Sequence, residues 1–136
     1  MNALNRIVCF ALVVAALGAC ASGTGQSRYG AEIPVRDTQS LAGRWSGIVQ
    51  SAQDQREDFL DVTVGADGTY ESRTARTIGV FEGRGRIDVQ DGRLRVTGEK
   101  TVGHGTLYDK DGKRTMVLQL TAPNGRQFTV RLTPRQ

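Results

Sequence analysis

The chain has 136 residues, 38% of them apolar, and a formal charge of +4, which is room for one folded domain with one modest core. Arg6 is the only charged residue before Cys20, so the part after the leader carries about +3, too mild for the basic, aromatic-studded face of a nucleic-acid binder. The Gly, Thr and Arg content suits short strands and tight turns rather than helices.

Met1 to Arg6 form a short, positively charged start, and Ile7 to Leu17 form an apolar run. That run is too short for a membrane-spanning helix, which takes about 20 residues. Small residues follow it, Gly18 to Ser22, so residues 1–19 read as a cleaved secretory signal. The tetrapeptide Leu17-Gly18-Ala19-Cys20 resembles the lipobox of bacterial lipoproteins. The resemblance implies cleavage before Cys20, a diacylglycerol on the Cys20 sulfur and an acyl chain (palmitate or similar) on the new amine. Ala21 rather than Asp after the cysteine resembles lipoproteins sent on to the outer membrane. The expected address is therefore the cell envelope, at the outer membrane facing the periplasm, and the membrane is the first expected partner. The alternative is an ordinary secretory signal that leaves Cys20 as a spare thiol. Cys9 is lost with the leader, so with Cys20 acylated no disulfide, redox pair or cysteine zinc site is available.

Residues 20–40 read as the lipidated cysteine and a flexible tether, polar, carrying Pro34 and without periodicity. About twenty such residues reach roughly 25 Å as a coil. Residues 41–136 read as the folded domain. Strands are expected near 44–52, 58–65, 69–76, 79–89, 93–99, 102–109, 114–121 and 127–133, separated by Asp-Gly and Asn-Gly turns.

Hairpin register follows from the turns. A two-residue Asp91-Gly92 loop sets Val89 opposite Leu94, Ile87 opposite Val96 and Gly85 opposite Gly98, with Asp88 facing Arg95 and Arg84 facing Glu99. A three-residue Ala66-Asp67-Gly68 loop puts Leu60, Val62 and Val64 on one face with Tyr70, Ser72 and Thr74. Pro123-Asn124-Gly125 treated likewise pairs Leu120 with Phe128, Leu118 with Val130 and Met116 with Leu132. Each hairpin gains an apolar face, as a half-buried sheet requires. The fold expected is all-β: an antiparallel eight-strand up-and-down meander closing into a small barrel, which removes exposed edges. An open or sandwich-like sheet is the alternative.

Gly43-Arg44-Trp45 at the start of the first strand resembles the Gly-x-Trp opening of lipocalins and related calycin barrels. The resemblance implies that Trp45 plugs one end and that an Arg near the last strand, Arg131 or Arg135, packs over it. Avidin-like proteins and bacterial metalloprotease inhibitors open in a similar way. This chain lacks the several tryptophans of the former and the paired cysteines of the latter.

No chemistry-bearing constellation stands out, and neither a catalytic nor a metal site is expected, nor a cofactor. His104 is the only histidine. It points inward beside Leu118 if the Lys110-Asp111-Gly112 loop has three residues, and outward if the loop has two. Gly83-Arg84-Gly85 lacks the Gly-Lys-Ser/Thr continuation of a phosphate loop. The arginines at 84, 86, 93 and 95 read as a solvated sheet face. The first functional expectation is a non-enzymatic lipoprotein whose barrel binds a small hydrophobic or amphipathic ligand. Its candidate lining is Trp45, Val49, Tyr70, Phe81, Ile87, Thr106 and Met116. The alternative is a solid barrel acting through its surface as an inhibitor or envelope assembly partner. Loops 53–57 and 76–79, and an apolar patch near Phe59 or Tyr108, would then matter.

Overall fold

The structure, a computed structural model, describes residues 27–75 and 81–136. The leader, Cys20, the start of the expected tether and the 76–79 loop lie outside the described residues. Strands run over Ala31–Ile33 (β1), Gly43–Ser51 (β2), Glu57–Val64 (β3), Thr69–Thr74 (β4), Gly83–Gln90 (β5), Arg93–Gly98 (β6), Val102–Lys110 (β7), Lys113–Thr121 (β8) and Gln127–Pro134 (β9). One turn of 3-10 helix spans Gln39–Leu41. No helix among the described residues is long and apolar enough to cross a membrane.

Strands β2 to β9 pair antiparallel, each with the next, and β9 returns to β2, so the meander closes into an eight-strand barrel. Alternation drives the closure. In β3 Asp58, Leu60, Val62 and Val64 are buried while Glu57, Phe59, Asp61 and Thr63 are exposed. The inward residues of all eight strands meet in one core, with Trp45, Val49, Ile87, Leu94, Met116, Phe128, Val130 and Leu132 at 2% exposure or less. Each large apolar side chain buried this way contributes roughly 1.5–3 kcal/mol.

The three hairpin registers hold as expected, residue for residue. Asp91 and Asp111 adopt positive φ (51° and 56°), and the glycines after them adopt 78°. This is the two-residue turn whose twist matches the strands it joins, and it explains why Asp-Gly stands at both places. Asp88 does face Arg95, but its ion pair is with Arg86 on its own strand, at 3.1 Å. The strand expected over 79–89 begins later, at Gly83, and the one expected to reach 76 ends at Thr74.

The tether expectation requires correction. Residues 31–33 form β1, which pairs with β7 through Ala31↔Asp109 and Ile33↔Leu107. Strand β6 covers β7 only from Val102 to Gly105, so β1 takes up the edge that β6 leaves unpaired. Val35, 4% exposed, enters the core, and its N–H donates to the Gly92 carbonyl at 2.9 Å. The folded part thus begins well before Leu41. An apolar Ile-Pro-Val segment too short to show periodicity carries the signal that a compositional reading passes over.

Candidate functional site

The barrel has two unlike ends. The chain enters at one, where residues 35–42 pass over the opening. Thr38 Oγ1 donates to the Ala66 carbonyl in the β3–β4 turn at 2.9 Å, and Arg114 Nη1 donates to the Ser40 carbonyl at 3.0 Å. Leu41 is fully buried there, and Trp45 Nε1 donates to the Leu41 carbonyl at 2.8 Å. Trp45 therefore lies at this plugged end. The cation over its ring is Arg114, at 5.6 Å from the centroid, rather than Arg131 or Arg135. Those two pair instead with Glu57 and Asp61, at 3.3 and 3.5 Å. Arg114, at the start of β8 rather than on the last strand, sits beside Ser40 and reaches the ring from there.

The other end opens into a cup between β4, β5 and the β6–β7 loop. Its floor is apolar, with Leu60, Val62, Ile87 and Met116 among the contributors, and its rim carries Glu82, Arg84, Glu99 and Lys100. Between them stand Tyr70, Ser72 and Thr101, with Ser72 8% and Thr101 6% exposed. The Ser72 hydroxyl donates to the Phe81 carbonyl. Phe81 meets Phe128 edge-on, with centroids 4.7 Å apart. Burial pushes the Tyr70 phenol above its ordinary value, and the hydrogen bond with Thr101 opposes that shift. The free space in the cup is about 30 Å³, room for roughly two or three waters.

Of the expected lining, the structure brings together Tyr70, Phe81, Ile87 and Met116. Trp45 belongs to the opposite end, and Val49 is buried in the core without lining the cup. Thr106 requires correction: its neighbours Gly105 and Leu107 point inward, so it sits on the outer face opposite Val117. Ser72 and Thr101 were not among the candidates. Ser72 was legible, because the Ala66-Asp67-Gly68 register already put it on the inner face with Tyr70. Thr101 is buried only by the tight β6–β7 connection.

The β7–β8 loop has two residues, with Lys110 opposite Lys113, so His104 faces outward opposite Gln119 and is exposed. Among the described residues no three His, Cys, Asp or Glu side chains gather as metal ligands. In the arginine stripe, Arg86 pairs with Asp88 and Arg93 with Glu32, at 3.1 and 3.2 Å. Phe59 is 68% exposed on the outer face. Tyr108 is half-buried, its ring 5.7 Å from that of Tyr29.

On the mouth side, Arg126 ties two loops together. It donates to Ser51 Oγ at 3.2 Å and to Asp54 Oδ2 at 3.4 Å, and its guanidinium lies over Phe128 at 5.3 Å. The hydrogen bond from Ser51 is the main influence holding the Asp54 carboxyl below its ordinary value.

Fold and site together define a closed eight-strand antiparallel barrel, plugged at one end and cupped at the other. Comparison with known protein families, with curated proteins and with solved structures gave no match.

Proposed function

We propose that this chain is a lipid-anchored envelope protein whose filled barrel acts through its outer surface, as an inhibitor or assembly partner, with the mouth-side loops as the contact. The carrying observation is the interior volume of about 30 Å³, against the roughly 300–1,000 Å³ of pockets that enclose small molecules. The β2–β3 and β8–β9 loops, held together by Arg126, supply a preformed surface there. Rigid loops lose less entropy on binding.

A second reading, a small hydrophobic ligand in the cup, draws on the apolar floor beneath three polar groups, Tyr70, Ser72 and Thr101. It requires side chains at the mouth to move apart.

Photo-crosslinking in the source bacterium separates the two. Crosslinkable residues at Gln53 and Asn124 are expected to capture one discrete envelope protein, and one at Gln39 is not. Native mass spectrometry of the purified protein should show no adduct. A reproducible added mass of a few hundred daltons, with no crosslinked partner, would turn the assignment to ligand binding. Palmitate labelling that is lost in Cys20→Ser tests the anchor.

A further inference from the structure

We infer that the outer face of β2, with β3 and β9 on either side, docks a second copy of this chain, the two-fold axis running along β2. Three neighbouring strands build that face. β3 turns Glu57, Phe59 and Asp61 outward, β2 turns Ser46, Ile48 and Gln50 outward, and β9 turns Thr129, Arg131 and Thr133 outward, with Arg135 just beyond. The register sets Phe59, Ile48 and Arg131 in one row across the three strands. Phe59, at 68%, is the most exposed large apolar side chain among the described residues.

The charges of this face are sorted by strand: both carboxylates stand on β3 and both guanidiniums belong to β9 and its end. Within one chain each arginine reaches over β2 to an acid. Arg131 Nη2 donates to Glu57 at 3.3 Å, and Arg135 Nη1 donates to Asp61 at 3.5 Å. Each contact uses one of the five donors a guanidinium carries, and the Asp61 and Arg135 side chains stay 64% and 59% exposed. Each guanidinium thus keeps donors for a second carboxylate. Such a face is neutral in sum and complementary to itself, as an isologous contact requires. An axis parallel to β2 lays β3 of each copy on β9 of the other, row on row. Phe59 then packs on the second copy's Arg131, a cation over a ring. Asp61 falls between the second copy's Arg131 and Arg135, and Ile48 meets Ile48. An axis across the strands would instead lay β3 on β3 and set Glu57 against Asp61, where like charges repel.

Arg44 stands four residues from Ile48 along β2, about 13 Å, and shares an outer groove with Asp61, Glu71 and Arg73, so it belongs to the edge of the contact. The axis along β2 also points both plugged ends the same way. Ser27 turns back at Gly30 beside the end of β7, at the plugged end, so both chains arrive from one side, as two copies anchored in one membrane must. Only this step uses the lipid-anchor reading above. Two convex barrels touch along a narrow strip, short of the roughly 800 Å² per partner of a standard interface. The dimer is therefore weak in solution and gains from confinement, which raises the effective concentration of one copy about another.

The test is disulfide trapping of the full-length protein in phosphatidylcholine vesicles. Ser46→Cys places a thiol on the proposed axis, and Thr97→Cys places one on β6, across the barrel. Ser46→Cys should form several-fold more covalent dimer than Thr97→Cys on oxidation. In the Ser46→Cys background, Asp61→Arg alone and Arg135→Asp alone should each lower the yield several-fold, and mixing the two variants should restore it. In the mixed pair both contacts between copies regain opposite charges, while the Asp61–Arg135 pair within each chain stays broken, so a purely structural role cannot give that rescue. Trp45 emission confirms that each variant is folded. Equal trapping at 46 and 97 overturns the interface, and so does failure of the mixed variants to recover, which leaves the face to some other partner. The mass of the purified chain reports the anchor separately. A chain without acyl mass refutes the anchor, and the same comparison, made free in solution at high concentration, still decides the dimer.

Discussion

Tyr70 lies in the space that Gly98 leaves by having no side chain: a Cβ at Gly98 would overlap the Tyr70 hydroxyl. Gly85, directly opposite Gly98, completes the gap, since a Cβ there would come within 2.6 Å of the ring. Glycine on both strands lets a large ring from β4 cross the wall of the cup. Gly98→Ala should therefore destabilise the protein by about 1–3 kcal/mol, the usual cost of overpacking. In a Tyr70→Phe background the loss should be smaller, because the obstacle is the hydroxyl. Urea unfolding of the four variants of the cycle checks this. Equal losses in both backgrounds would refute it.

Trp45 is the only tryptophan and it is 2% exposed, so its fluorescence reports the plugged end alone. Native emission should be blue-shifted and should move to longer wavelength on unfolding. Arg114→Ala removes both the cation over the ring and the hydrogen bond to the Ser40 carbonyl, and should cost about 1 kcal/mol with a modest red shift. Arg131→Ala and Arg135→Ala should leave the emission unchanged. Trp45→Ala should cost about 3–5 kcal/mol.

A filled interior responds to cavity creation. Met116 is fully buried beneath the cup. Met116→Ala should cost about 2–5 kcal/mol and open an apolar hole. Calorimetry with a small apolar probe of benzene size should detect binding to the variant and none to the parent. Comparable binding to both would show that the parent already holds usable space, and would favour the ligand reading.

Acid should weaken the β3–β4 turn. The hydroxyl and backbone N–H of Thr69 donate to Asp67 Oδ1 at 2.7 and 3.0 Å, and these bonds hold the carboxyl below its ordinary value of 3.8. A depressed folded value means stabilisation that is fully present at neutral pH and is lost as pH falls through 3.8 and then through the folded value. The urea midpoint of the parent should exceed that of Asp67→Ala at pH 7. The gap should close as pH drops from about 5 towards 2. A gap that stays constant would mean that the carboxylate charge contributes nothing to the turn.

The sequence by itself determined the local pairing. Period-2 alternation, together with Asp-Gly and Asn-Gly turns of defined length, settles which residues oppose one another in β3–β4, β5–β6 and β8–β9. A slip of one residue would turn every apolar side chain outward. For the same reason it placed Tyr70, Ile87 and Met116 on the inner face. It left His104 open only because two loop lengths were compatible with the turn residues.

The tertiary structure decided what depends on residues far apart in the chain. Pairing of β9 with β2 closes the barrel, and β1 completes the edge of β7 that β6 leaves short. Arg114 rather than Arg131 or Arg135 meets Trp45 because residues 35–42 bring Ser40 beside β8. The interior volume is likewise set by how side chains from eight strands interdigitate, with Tyr70 lying across Gly85 and Gly98. No local pattern encodes that sum, because each strand fixes only which way its residues point, and the space left over depends on all of them at once.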